Sequence, residues 1–252
     1  MKTIKIISDL HINNQGGDND FFLNDGLFIK YLKDTIGKID YFVFNGDIFE
    51  CWKSRSWGKF KTKFWNIVRE KIGIFTTICD GILKDKKITY IYGNHDKIVY
   101  KQNLIPHTKE ELILNIDGQK IYIAHGHQPD LFNSRWPIIG TFCTWFLAFF
   151  ERLGWGNIDK QALKGSKKAL SREAKNKKIF HKYAKEIYKK HHSKVIVFGH
   201  THKHEIVEFE EFTYVNTGKS CHRKNKFDEI TLKVHQNNIK ISHKLVDLSE
   251  YI

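Results

Sequence analysis

Five short apolar runs recur along the chain, and each opens into a polar loop bearing Asp, Asn or His. Residues 4–8 end at Asp9. Residues 40–45 lead to Gly46 and Asp47, and 87–92 lead to Gly93, Asn94, His95 and Asp96. Residues 120–124 lead to His125, Gly126 and His127, and 194–198 lead to Gly199 and His200. Runs of this length and composition predict buried β-strands. Between them, 21–36 carries Leu, Phe and Ile at helical spacing, and 57–83 predicts one or two helices with a basic face. Beyond residue 207 the pattern turns to alternation. There 212–216, 229–235 and 239–246 predict strands, the last two joined by a turn at Gln236, Asn237 and Asn238. The tail strands point to a second sheet, so the predicted class is α/β, a two-sheet core with helices outside.

A single polar loop after a strand is ordinarily a solvated turn. Five in succession, all with metal-ligand residue types, argue for convergence. In layered α/β sheets ligands sit where loops leave the strand ends. Rigid strands aim such side chains, and glycine lets the backbone turn tightly beside a small ion.

The stretch 129–192 stands apart and reads as a helical insertion between core strands. Its first part, 136–150, is intensely apolar but shorter than the roughly 20 residues a membrane-spanning helix needs. Its second part, 158–192, is strongly basic, with only Asp159, Glu173 and Glu186 opposing its lysines. One reading is a buried helix followed by a solvated basic face, with His191 and His192 solvated too. The other is a cap over an apolar, anionic substrate, or a surface resting on an anionic membrane. A nucleic-acid contact is a third use of the same charge.

Length and charge narrow the picture. A chain of 252 residues suits one large domain, here expected over 1–252 with the insertion inside it. A net charge of +14 attracts polyanions, although a Lys-, Ile- and Asn-rich composition alone spreads charge in the same way. Cys51, Cys79, Cys143 and Cys221 form no CxxC pair, which speaks against a zinc knuckle or disulfide framework and for free thiols. The N-terminus reads as a strand without a signal-peptide apolar segment, so a cytoplasmic location is expected.

The chemistry lies in the loops. Asp9 and His11 stand in SDLH, Asp47 in NGDIFECW, Asn94 and His95 in YGNHD, His125 in AHGHQPD, and His200 and His202 in GHTHKH. Carboxylate oxygen and imidazole nitrogen suit borderline divalent ions such as Mn, Fe or Zn. Asn adds a neutral oxygen that leaves the site attractive to phosphate. His127 and His204 lie one step beyond this pattern, as supports of a ligand ring or as surface residues.

These blocks, in this order from Asp9 to His202, resemble the calcineurin-like metallophosphoesterase superfamily: DxH, GD, GNH with D or E, a histidine in an HG loop, and GHxH. The resemblance implies a four-layer α/β/β/α sandwich and two divalent metal ions, Mn foremost. It implies a first metal held by Asp9, His11, Asp47 and His202. It implies a second held by Asp47, Asn94, His125 and His200, with Asp47 bridging. His95 would lie near the phosphate and assist the leaving group, and Asp96 would orient an imidazole. The implied reaction is hydrolysis of a phosphate ester or diphosphate by water activated between two metals. Asn216, Thr217 and Gly218 resemble the family's late NTG turn, followed here by Lys219, a candidate phosphate contact.

Within the superfamily, GDIFECW and the position of the insertion resemble UDP-2,3-diacylglucosamine pyrophosphatases. That similarity implies a lipid-linked sugar diphosphate as substrate, an acyl-chain pocket under the insertion, and association with the inner membrane face. Two features depart from that group: His95 replaces the usual arginine of GNRD, and HGHQPD replaces HGD. The alternatives are a general phosphodiesterase or phosphomonoesterase, a nucleotide or nucleic-acid hydrolase, and a non-catalytic metal-binding scaffold.

Overall fold

The computed structural model describes residues 1–14, 23–52, 59–85, 87–129, 167–218, 220 and 223–251. Two five-stranded mixed sheets face each other. Strands β1 (Lys2–Ile7), β2 (Tyr41–Asn45) and β3 (Ile88–Ile91) run parallel in the first. Its other edge is a long antiparallel hairpin, β9 (Lys226–His235) with β10 (Asn238–Asp247), so the order is β10-β9-β1-β2-β3. The second sheet has the order β4-β5-β6-β8-β7, built from β4 (Glu111–Ile116), β5 (Gln119–Ala124), β6 (Val195–Phe198), β7 (Glu205–Glu208) and β8 (Thr213–Asn216).

Strand alternation explains the layering. Ile4 and Ile6 of β1, Val43 of β2, Ile121 and Ile123 of β5, and Val195 and Val197 of β6 meet in a dry layer between the sheets. Their neighbours point outward. Ile7, Phe42 and Phe44 pack under α1 (Asp25–Ile36), α2 (Phe60–Glu70) and α3 (Ile72–Asp80). Tyr122, Ile196 and Phe198 pack with Phe180, Ala184 and Ile187 of α5 (Lys167–His191). A period-2 strand buried on both faces needs apolar residues at both parities. Each fully buried Ile or Phe contributes about 1.5–3 kcal/mol of transfer free energy. The architecture is the predicted α/β/β/α sandwich.

Helix α1 shows why its residues form a helix. Asn24 caps it by accepting the Leu27 N–H, and Asp25 complements the positive end of the helix dipole. Phe28, Tyr31, Leu32, Thr35 and Ile36 recur at the three- and four-residue spacing that makes one buried stripe. The predicted 57–83 helical stretch resolves into α2, α3 and a π-helical turn, Gly81–Asp85, among the described residues. A short helix, α4 (Lys97–Lys101), follows the YGNHD loop.

Three features differ from the sequence expectation. The tail strands do not form the second sheet together: β8 joins it, but β9 and β10 extend the first sheet, because β9 pairs antiparallel with β1. Alternation reveals which face of a strand is apolar, not which strand lies beside it. Strands β4 and β7 have no counterpart in the predicted set. Asp117 and Gly118, with φ of 51° and 77°, turn β4 into β5, and Asp-Gly is a two-residue hairpin signal. His191, expected to be solvated, is half-buried and stacks on Tyr122 at 5.3 Å. The apolar segment 136–150, Lys219, Cys143 and Cys221 lie outside the described residues, as does the basic segment before 167. Cys51 and Cys79 are free thiols. No helix among the described residues is long and apolar enough to cross a membrane.

Candidate metal centre

The C-terminal ends of β1, β2 and β3 in one sheet, and of β5 and β6 in the other, point to the same edge of the sandwich. The loops leaving them bring together two clusters. Asp9, His11 and His202 form one; Asp47, His125 and His200 form the other; in each, the ligand atoms lie within 4.8 Å of one another. His202 Nε2 is 3.2 Å from Asp9 Oδ1 and 3.3 Å from His11 Nε2. His125 Nε2 is 3.1 Å from Asp47 Oδ2.

Backbone conformation sets these side chains apart. Asp9, His11, Asp47, His200 and His202 all have positive φ, between 49° and 67°. Asp and His tolerate this region better than most residues, but each instance costs on the order of 1 kcal/mol and persists only where its surroundings hold it. The holding contacts are visible. Asp9 N donates to Gly46 O and His11 N to Asp47 O, both at 3.0 Å, which stitches the first loop to the second. Asp9 Oδ2 accepts from Ser8 Oγ and from His200 N, and Ser8 Oγ shares a 2.5 Å hydrogen bond with Thr217 Oγ1. Gly93 leaves no room for a side chain: a Cβ there would lie 2.1 Å from Asp47 Oδ1.

Of the buried side-chain atoms without a well-formed hydrogen bond, Asp9 Oδ1, Asn94 Oδ1 and His125 Nε2 lie at these clusters, the first and last set against the opposing ligand atoms His202 Nε2 and Asp47 Oδ2 at 3.2 and 3.1 Å. A buried polar atom without a partner costs about 1–3 kcal/mol, so three at one spot call for a cation. Asn94 sits between Gly93, which underlies Asp47, and His95, whose N–H donates to Asp47 Oδ1 at 2.8 Å. His125 Nδ1 donates to Asn45 O at 2.9 Å, which fixes the tautomer and leaves Nε2 as a lone pair facing the cluster. Oxygens and imidazoles in this number fit divalent ions.

Charge balance without a cation is local. Burial would raise Asp9, but the His202 and His125 rings hold it down, at about 2. Burial would raise Asp47 as well, and His125 and His95 hold it well below the usual carboxylate range. Burial would lower His125, but Asp47 and Asp9 push it up to about 9. For His127 the balance runs the other way. Burial, with the His125 charge beside it, lowers it to about 3. It is buried, not a surface residue, with its ring 5.6 Å from that of His125 and Nδ1 unpaired. His204 is exposed, bonded through Nδ1 to Asn216 O and stacked on His243 at 3.8 Å.

His95 and Asp96, expected together, have separate surroundings. Asp96 is buried and accepts from Ile48 N, Tyr90 Oη and Gly93 N, at 2.9, 2.6 and 2.6 Å. Burial, and then Asp47, push its carboxyl up. The carboxylate that meets Nδ1 of His95, and of His11 as well, is Glu50. His11 Nδ1 and His95 Nδ1 both lie 2.8 Å from Glu50 Oε2, and His95 Nδ1 lies 2.9 Å from Oε1. Burial would raise Glu50, but these two rings hold it well below its usual range. Glu50 was not among the expected site residues. Its signal was a carboxylate three positions after Asp47, inside the GDIFECW block.

The four-layer sandwich thus sets two oxygen-and-imidazole clusters, each suited to hold a metal ion, at its strand ends. The calcineurin-like phosphoesterase profile matches residues 2–204, and the chain belongs to that family. The family and the clusters together imply divalent metal ions. Among solved structures, the chain is similar to a predicted phosphoesterase from Streptococcus pneumoniae TIGR4, at 15% identity and TM-score 0.45, covering 97% of this chain and 89% of that one. It is similar to zinc-complexed Vps29 from Entamoeba histolytica, at 14% identity and TM-score 0.43, covering 98% and 99%. It is also similar to an archaeal phosphodiesterase, at 14% identity and TM-score 0.45, covering 97% and 99%. No curated protein matches the chain.

Proposed function

We propose that this protein hydrolyses a phosphate ester or diphosphate bond with two divalent ions, Mn foremost, held at the two clusters. The observation that carries the reading is the convergence of buried Asp9 Oδ1, Asn94 Oδ1 and His125 Nε2, none with a well-formed hydrogen bond, on the two clusters. Two such ions neutralise phosphoryl oxygens and supply an activated water. Asp9, His11 and His202 would hold the first ion; Asn94, His125 and His200 would hold the second; Asp47 would reach both. Glu50 accepts the Nδ1–H of His11 and of His95, so each ring turns its Nε2 toward the clusters. His95 Nε2, 3.9 Å from Asp47 Oδ2, is then placed to donate to the oxygen of the leaving group. Asp96 keeps the Ile48 and Gly93 backbones in register beneath Asp47 and takes no part in proton transfer.

The substrate class we favour is an anionic diphosphate carrying apolar chains, a lipid-linked sugar diphosphate at a cytoplasmic membrane face. The apolar sequence 136–150 supports it. So does α5, whose exposed Lys177, Lys178, Lys182, Lys185, Lys189 and Lys190 outnumber the acids that pair with them, Glu205 at Lys177 and Glu186 at Lys182. That helix borders the second cluster, with the Phe180 ring 6.0 Å from His200. The same lysines favour a nucleic-acid phosphodiester as the second reading.

The test starts from protein stripped with a chelator and reloaded with Mn, Co, Ni, Zn or Fe. Hydrolysis of bis(p-nitrophenyl) phosphate or p-nitrophenyl phosphate should return with metal. No turnover with any of them sinks the enzyme and leaves a metal-binding scaffold. A diacylated sugar nucleotide diphosphate should then be cleaved faster than its deacylated form, and faster than single-stranded DNA; the reverse order selects the second reading.

A further inference from the structure

The loop after Asp47 does more than carry Glu50. It folds back so that Trp52 N donates to Glu50 Oε1 at 2.8 Å, and Lys63 Nζ of α2 donates to Trp52 O at 3.4 Å. Trp52 is only 6% exposed, whereas Trp65, on α2, is 41% exposed. Its ring lies 4.2 Å from that of His95, at an interplanar angle of 25°. The His11 ring meets His95 edge-on, at 4.8 Å and 89°.

A hydrogen bond alone leaves the His95 ring underdetermined. Its Nδ1 is 2.9 Å from one Glu50 oxygen and 2.8 Å from the other, so the carboxylate grips one ring corner without choosing a ring plane. A ring held at that corner swings about it and carries Nε2 through an arc. A flat wall against one face removes that freedom. We propose that Trp52 is a positioning residue for His95: its indole fixes the imidazole plane and so aims Nε2 at the leaving-group oxygen. This rests on the hydrolytic role proposed for His95, but the ring geometry is testable without it.

The experiment uses the full chain in three forms: native, Trp52→Phe, which keeps a flat face, and Trp52→Met, which keeps apolar filling without one. Two phosphodiesters share a phosphoryl group and differ in the leaving group, p-nitrophenolate or a simple alkoxide. A leaving alkoxide needs the proton or hydrogen bond far more than p-nitrophenolate does. Misplacing a catalytic group by about 1 Å costs on the order of 100-fold. We expect Trp52→Met to lower kcat on the alkyl ester by about that factor with KM held. The loss should shrink on the p-nitrophenyl ester, and Trp52→Phe should recover most of it. Adding Trp52→Met to His95→Ala should cost nothing further.

The second readout is NMR of the metal-free protein. The His95 ring protons should show an upfield ring-current displacement in the native and Trp52→Phe forms that disappears in Trp52→Met. Equal losses on both esters, additive losses with His95→Ala, or His95 resonances unmoved by Trp52→Met would each overturn the proposal. If the native protein turns over no phosphate ester, the hydrolytic reading falls by itself, and the NMR displacement still decides whether Trp52 sets the ring. Should Trp52→Met fail to fold, Trp52→Phe and the His95→Ala resonance assignment keep the NMR comparison decisive.

Discussion

The two edges of the sandwich use the same backbone conformation to opposite ends. At the far edge, Asp117 and Gln236 have φ near 50° in exposed hairpin turns, and Gln236 N donates to Asp117 Oδ2 across the two sheets. At the metal edge, Asp9, His11 and Asp47 have φ near 50° while almost fully buried. A positive φ on an exposed Asp closes a turn and needs no further explanation. On a buried Asp with an unpartnered oxygen it is strain held by the fold, and it marks chemistry. Conformation alone does not separate the edges; conformation with burial and missing partners does.

The sharpest way to break the comparison is Asp47→Asn. The substitution keeps shape and tolerance of the left-handed region and removes only charge. If the metal edge exists to hold cations, both sites should empty in elemental analysis. Hydrolysis should fall by at least about 1,000-fold, since bound metals are worth several kcal/mol of charge stabilisation. Full metal occupancy with unchanged turnover would refute the role of Asp47.

Glu50→Gln probes one layer further out. The amide loses the charge and keeps only one acceptor oxygen, so its NH2 must oppose an N–H donor, either Trp52 N on the Oε1 side or the imidazole Nδ1–H groups on the Oε2 side. Removing such an outer partner of a metal ligand ordinarily costs about 10–100-fold in metal affinity or activity. A chelator competition assay should show the first cluster weakened more than the second, because Glu50 holds the ring of His11, a residue of the first cluster. Equal weakening of both would mean that Glu50 acts on the fold as a whole.

The contrast between Asp47 and Glu50 also shows what the sequence discloses. Asp9, His11, Asp47, Asn94, His125, His200 and His202 stand in short local blocks at strand ends, so their residue types and their order could be read directly. Glu50 owes its place to contacts with His11, 39 residues away, and His95, 45 residues away, and no local pattern encodes them. Asp96 shows the opposite limit: adjacency to His95 suggested a partnership, but their side chains face different neighbours. The fold follows the same division. Apolar runs and, in the tail, alternation exposed most strands and a two-sheet core, while the four-layer order came with the family resemblance. The pairing of β9 with β1, across more than two hundred residues, depends on which apolar faces meet after collapse.

A third test reads the metal edge through pH. In metal-free protein burial would lower His125 from its ordinary 6.5, but Asp47 and Asp9 push it up to about 9. A raised histidine contributes stability that is fully present below pH 6.5 and is lost as pH rises through about 9. Metal must displace that proton from Nε2, so loading strengthens over the same window. The melting temperature of chelator-treated protein should therefore fall between pH 6.5 and 9, while the increment on adding metal should grow. Parallel trends in the two forms would break the assignment of His125 as a ligand.

The smallest effect is expected at the far edge, from Asp117→Asn. Asp117 has φ of 51°, within a few degrees of Asp9 and Asp47, and its carboxylate likewise accepts a backbone N–H. Asparagine preserves both the left-handed conformation and an acceptor for Gln236 N, and the site is open to water. Exposed substitutions that keep such features usually change stability by no more than about 0.5 kcal/mol. Chemical unfolding should place the variant within that margin, with metal content and turnover unchanged. A large loss would show that the two hairpin tips brace the sheets against each other, and that the far edge shares in setting the spacing of the metal edge. The same Asp→Asn exchange, at nearly the same φ, would then be consequential at both ends of the sandwich, and burial would no longer be what distinguishes them.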